Sequence, residues 1–124
     1  MQVPILKQGE VLIASIQAAL SDQDLVHLRD EFAEQVGRFR SRGVIIDVGA
    51  LDVLDSFATR TLRSIAYTAK LRGAATVVVG IQPDVAFGMV QLGLTLDGVA
   101  TALDLEEGLE HLQRLAKRGS RNGY

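Results

Sequence analysis

The sequence contains no cysteine and no tryptophan. Without cysteine there is no disulfide framework, no thiol nucleophile and no thiolate metal site, which suits a cytosolic protein. Aromatic residues are only 5% of the chain, so a core must be built mostly from Leu, Val, Ile and Ala. No apolar run approaches the roughly 18 residues needed to span a bilayer. The opening Met1-Gln2-Val3-Pro4 has no basic stretch followed by an apolar one, so no secretory signal is read there. Charge of neither sign dominates: 13 Lys and Arg stand against 15 Asp and Glu, a formal net charge of -2. No basic field is available for general nucleic-acid binding. GxxxxGK and GxGxxG are both absent, so no glycine-rich phosphate cradle is expected.

What is present suffices for one domain. The 124 residues are 48% hydrophobic, and a chain of that size can fold alone. No internal repeat or low-complexity linker interrupts it. A single domain is expected over residues 1–118, followed by a short flexible tail, residues 119–124.

Two short apolar runs, Val3–Gln8 and Val11–Ile16, flank Gly9-Glu10 and predict an antiparallel hairpin. Pro4 places the first run at a sheet edge or marks its start. Ser21, with Asp22 and Asp24 behind it, suits a helix N-terminus. Leu25, Leu28, Phe32, Val36 and Phe39 then recur at helical spacing, and Gly43 is read as the stop. Val44-Ile45-Ile46-Asp47-Val48 and Ala74–Gly80 are nearly unbroken apolar runs, the pattern of strands covered on both faces in a parallel sheet. Between them Ala58, Leu62, Ile65 and Ala69 mark a helix from about Ser56 to Arg72. This strand–helix–strand unit calls for a crossover connection. Pro83 suits the first turn of a third, short helix ending at Gly93. Asp97-Gly98 predicts a turn before a short strand at Val99–Thr101. Asp104, with Glu107 three residues on, resembles a capping box for a last helix. Its predicted buried stripe is Leu105, Leu109, Leu112 and Leu115 or Ala116, and Gly119 its end. The reading is α/β, β-β-α-β-α-β-α-β-α: a mixed, mostly parallel sheet of about five strands with four helices and an N-terminal hairpin.

The segment Leu51-Asp52-Val53-Leu54-Asp55-Ser56-Phe57-Ala58-Thr59-Arg60 carries the chemistry. It follows a buried strand and enters a helix, and ligands and modifications gather at the carboxyl ends of strands in open α/β sheets. A phosphate on Ser56 would be favoured by the helix N-terminus, with Arg60 one turn on to screen it and Asp52 and Asp55 adding like charge. The plainer alternative makes Asp55 or Ser56 an N-cap and nothing more. Thr59, on the same helix, is a weaker second phosphosite candidate, or a helix-surface threonine. His27 and His111 stand alone on different helices, without partners at metal-ligand spacing, and read as surface or boundary residues. Asp47 reads as a loop cap rather than a metal ligand. No metal or cofactor is expected. Val85, Phe87, Met89 and Leu92 crowd a short helix, followed by Leu94 and Leu96; the plain reading is core, but so short a helix cannot turn all of them inward, and the rest would form a subunit contact.

Asp55-Ser56, after a hydrophobic strand and a Leu-Asp loop, resembles the phosphorylation site of STAS domains, which include anti-sigma-factor antagonists and stressosome scaffolds. The antagonist pattern is Asp-Ser-Ser/Thr-Gly-Leu-Gly; Asp55 and Ser56 match it, whereas Phe57, Ala58, Thr59 and Arg60 do not. Asp55-Ser56-Phe57, Gly80-Ile81-Gln82-Pro83, Leu92-Gly93-Leu94 and Thr101–Leu109 are similar to the RsbS-type stressosome scaffold. The resemblance covers nearly the whole chain. It implies a STAS fold and a non-enzymatic cytoplasmic signalling protein. Such a scaffold would assemble with itself and with RsbR-type STAS co-antagonists, without binding nucleic acid or membrane. It would sequester an RsbT-type serine/threonine switch kinase and release it when phosphorylated on Ser56, and a cognate phosphatase would reset the serine. Asp52, Asp55, Phe57 and Arg60 would form the phosphosite environment and kinase-docking surface. RsbR-type paralogues carry a sensor domain ahead of the STAS domain, and this chain, opening directly on its first strand, is expected to lack one. The alternative within the resemblance is an anti-sigma-factor antagonist that binds an anti-sigma-factor kinase.

Overall fold

The computed structural model describes residues 2–121, with side chains for residues 2–118. Strands β1 (Ile5–Gln8) and β2 (Val11–Ser15) form the expected antiparallel hairpin, with Gly9 at φ 60 in its turn. Helix α1 (Asp22–Phe39), strand β3 (Gly43–Asp47), helix α2 (Ser56–Leu71), strand β4 (Ala75–Val79), helix α3 (Pro83–Gln91), strand β5 (Ala100–Ala102) and helix α4 (Leu105–Arg121) follow. The five strands lie in the order β1-β2-β3-β4-β5, and every pair after the hairpin is parallel. Pro4 precedes an edge strand, where its missing N–H costs no ladder bond.

The unbroken apolar runs follow from this topology. Val44, Ile46 and Val78 point to the face covered by α1, α2 and α3, together with Leu12 and Ala14. Ile45, Val77 and Val79 point to the opposite face, where Leu112 of α4 packs. Strand residues alternate between faces, so β3 and β4, covered on both, carry apolar side chains at most positions.

Several local expectations differ from the structure. Gly43 does not stop α1. Arg40 ends it in the left-handed region, at φ 50, and Gly43 is the first residue of β3. A Cβ there would lie 2.7 Å from Leu112 Cδ1, so the glycine lets α4 approach the sheet. The buried stripe of α4 is narrower than predicted. Leu112 is buried and Leu109 half-buried, while Leu105, Leu115 and Ala116 are exposed. Gly108 also lies against the sheet, where a Cβ would meet Val79 Cγ1 at 2.9 Å. Gly119 does not end α4, which runs on to Arg121; of the predicted tail, residues 122–124 lie outside the described residues. The last strand is Ala100–Ala102, one residue later than expected, because Leu96 accepts from the Val99 N–H in a turn with Gly98 at φ 79. Among the described residues no helix is long and apolar enough to cross a membrane.

Candidate functional site

The loop between β3 and α2 is anchored at its base before it reaches Ser56. Val48 N–H continues the ladder to the Val79 carbonyl. Asp47, at the carboxyl end of β3, accepts the Gly49 N–H on Oδ1 at 2.9 Å, the loop-capping role expected of it. Gln82 Nε2 donates to the Gly49 carbonyl at 2.8 Å from the turn after β4. Gly80, at φ 81, lets the two turns meet: a Cβ there would lie 3.1 Å from Asp47 Oδ1 and 3.2 Å from Gly49 Cα. Sequence reasoning did not find Gln82. Its position before Pro83 marks it as a helix N-cap, and it is one, but its side chain caps nothing locally and reaches instead across 33 residues. No local pattern encodes that contact.

The loop closes over apolar anchors. Leu51 and Leu54 are buried, whereas Asp52 and Val53 between them are exposed. Asp55 is the N-cap of α2, its Oδ1 accepting the Ala58 N–H at 2.7 Å. That resolves the choice left open by the sequence. The cap is Asp55, and Ser56 is the first helical residue, with an exposed side chain that no hydrogen bond engages among the described residues. Phe57 is half-buried beside it, and Arg60, one turn on, is exposed. Asp52, Asp55, Ser56 and Arg60 thus share one accessible end of the molecule, at the carboxyl edge of the parallel strands.

Thr59 is not on the surface. It is 1% exposed, and its hydroxyl donates to the Asp55 carbonyl at 2.8 Å. Both readings of it fail for one reason: the hydroxyl is sealed against the core and hydrogen-bonded, out of reach of a modifying enzyme. Thr59, Leu62, Ala66 and Ala69 recur at helical spacing and are all buried, so the inward face of α2 runs through Thr59. Beside Ser56, the loop after β2 and the loop after β3 enclose an apolar recess of about 60 Å³, lined by Ala19, Leu20, Leu51, Val53 and Ala58 among others. His27 is exposed and His111 half-buried. Among the described residues no group of three or more His, Cys, Asp or Glu is placed to hold a metal ion.

The STAS-domain family model matches residues 2–108. Among solved structures, an RsbS of Moorella thermoacetica bearing a serine-to-glutamate substitution is 38% identical, with a TM-score of 0.81 over 94% of this chain and 99% of that one. A chain from a structure of the stressosome, described as a signal integration and transduction hub, is 36% identical, with a TM-score of 0.73 over 91% of this chain and 98% of that one. The RsbT co-antagonist protein RsbRA of Bacillus subtilis (strain 168) is 22% identical over 116 residues. Those residues are 94% of this chain and 42% of RsbRA, so the chain spans less than half of that relative's length.

Proposed function

The chain belongs to the STAS-domain family, and from that membership we propose that it is a non-enzymatic scaffold of a bacterial stressosome, residues 1–118 acting as one domain. In this reading it holds an RsbT-type serine/threonine switch kinase and releases it when Ser56 is phosphorylated. RsbR-type STAS proteins are its co-assembly partners, and a cognate phosphatase restores the serine. The observation that carries the proposal is the state of Ser56. Its hydroxyl is exposed and unengaged at the first position of α2, because the neighbouring Asp55 already performs the capping. The 38% identity to RsbS over nearly the full length of both chains supports the scaffold reading.

The chemistry asks little of this chain. Ser56 Oγ attacks the γ-phosphorus of ATP held by the kinase, the bond from that phosphorus to the bridging oxygen of ADP breaks, and the hydroxyl proton passes to a kinase base. The product adds about -1.5 to -2 charge and strong acceptor oxygens. Asp52 and Asp55 are already exposed at that end, so the added dianion concentrates negative charge on the surface the kinase docks against. Losing about 1.4 kcal/mol of binding energy weakens affinity tenfold, so release requires no refolding.

Incubation with an RsbT-type kinase and ATP, followed by mass spectrometry, tests this. Phosphate is expected on Ser56 and no label on Ser56→Ala. Equal labelling of the variant would refute the assignment.

A further inference from the structure

Helix α2 has an unusual charge pattern. In a chain of net charge -2, it carries Arg60, Arg63 and Lys70 and not one Asp or Glu. Arg63 is directed elsewhere, its Nη1 donating to Thr95 Oγ1 at 3.4 Å. Arg60 is exposed and enters no ion pair among the described residues. It stands four positions after Ser56, which puts the two side chains on one helix face with Cβ atoms about 5–6 Å apart. Besides the N–H groups at the start of α2, which favour any anion there, the other groups near Ser56 cannot serve a phosphate as well. The Ala58 N–H is occupied by the Asp55 carboxylate. The Thr59 hydroxyl is buried and bonded. Asp52 and Asp55 are like charges, and the adjoining loop after β2, residues 16–20, has no charged residue.

On the premise that Ser56 is phosphorylated, we propose that the phosphate pairs with Arg60 across the first turn of α2, making Arg60 the second half of the switch. While the serine is free, Arg60 is a cation open to an acidic group of the docked kinase. Once the phosphate is present, Arg60 folds back onto it and leaves the partner's acidic group without its contact. Modification then acts twice on one surface, by adding a dianion and by withdrawing an accessible cation. The distinctive residue is the arginine, at a position where the antagonist pattern has no basic side chain.

The pairing is testable without any kinase, on a full-length chain with phosphoserine installed at position 56 during translation. The second pKa of a phosphoserine lies near 6, and a neighbouring cation favours the dianion and lowers it. A phosphorus-NMR titration is expected to show the Arg60→Gln variant with that pKa higher by about 0.2–0.4. Arg60→Lys should keep most of the wild-type value, Lys70→Gln should not move it, and high salt should shrink the difference. Equal values in wild type and Arg60→Gln would overturn the pairing. A second measurement addresses release. Arg60→Gln should bind the RsbT-type kinase several-fold more weakly when unmodified, and phosphorylation should weaken it by a smaller factor than in wild type. An unchanged factor overturns the coupling. Failure of the scaffold reading looks different: the kinase would leave wild-type Ser56 unlabelled whatever the titration shows.

Discussion

Two adjacent residues divide the work at the head of α2. Asp55 accepts the Ala58 N–H, a helix-capping bond whose removal typically costs about 1 kcal/mol. Ser56 makes no such bond among the described residues. Asp55→Ala should therefore lower the melting temperature by roughly 3–5 °C for a domain of this size, whereas Ser56→Ala should leave it nearly unchanged. Thermal denaturation followed by circular dichroism distinguishes them, and an equal loss in Ser56→Ala would mean that the serine is structural. The segment from Asp52 to Arg60 was legible as a candidate site because strand, loop and helix start follow one another directly in the sequence. Which of Asp55 and Ser56 does the capping was not legible, since either residue type can. Thr59 was misplaced although the signal was there: it shares the helical repeat of Leu62, Ala66 and Ala69, but its hydroxyl disguises an inward position.

At the scale of elements, the two faces of the sheet are covered in different ways. Helices α1 and α2 bury large side chains, Phe32, Leu62 and Ile65 among them, against one face. On the other face α4 approaches through Gly43 and Gly108. Glycine inside a helix ordinarily costs about 1 kcal/mol relative to alanine, and Gly108 offsets that by leaving room for Val79. Val79 is fully buried, short and β-branched, so it cannot swing away as a long side chain would. Gly108→Val should cost about 1–3 kcal/mol through overpacking, seen as a lower urea midpoint with little change in slope. A midpoint equal to wild type would show that α4 is not held at that crossing. That α4 is a helix was readable in advance, and of its predicted stripe only Leu109 and Leu112 turn inward. That a glycine faces the sheet while Leu105 stays exposed was not readable, because the distance between helix and sheet belongs to neither element alone.

For the whole molecule, the short α3 leaves apolar side chains outside, with Phe87 69% and Val90 77% exposed. The sequence anticipated this, since nine helical residues cannot turn so many apolar groups inward. The stressosome reading carries a size prediction. Mixed with an RsbR-type partner, the chain should enter one very large particle by light scattering, whereas an anti-sigma-factor antagonist would form only small complexes of one or two copies of each chain. Recovery of small complexes alone would remove the shell from the proposal. The sequence by itself determined the order and kind of every element and the mostly parallel sheet, and it pointed to the candidate site. All of these are written in periodicity and in local start and stop residues, which act over a few neighbours. Only the tertiary structure decided that Gln82 and Gly80 brace the loop holding Ser56, that Thr59 is sealed, and that α4 rests on two glycines. Those outcomes depend on distances between segments far apart in the chain, and such distances exist only once all the elements have packed together.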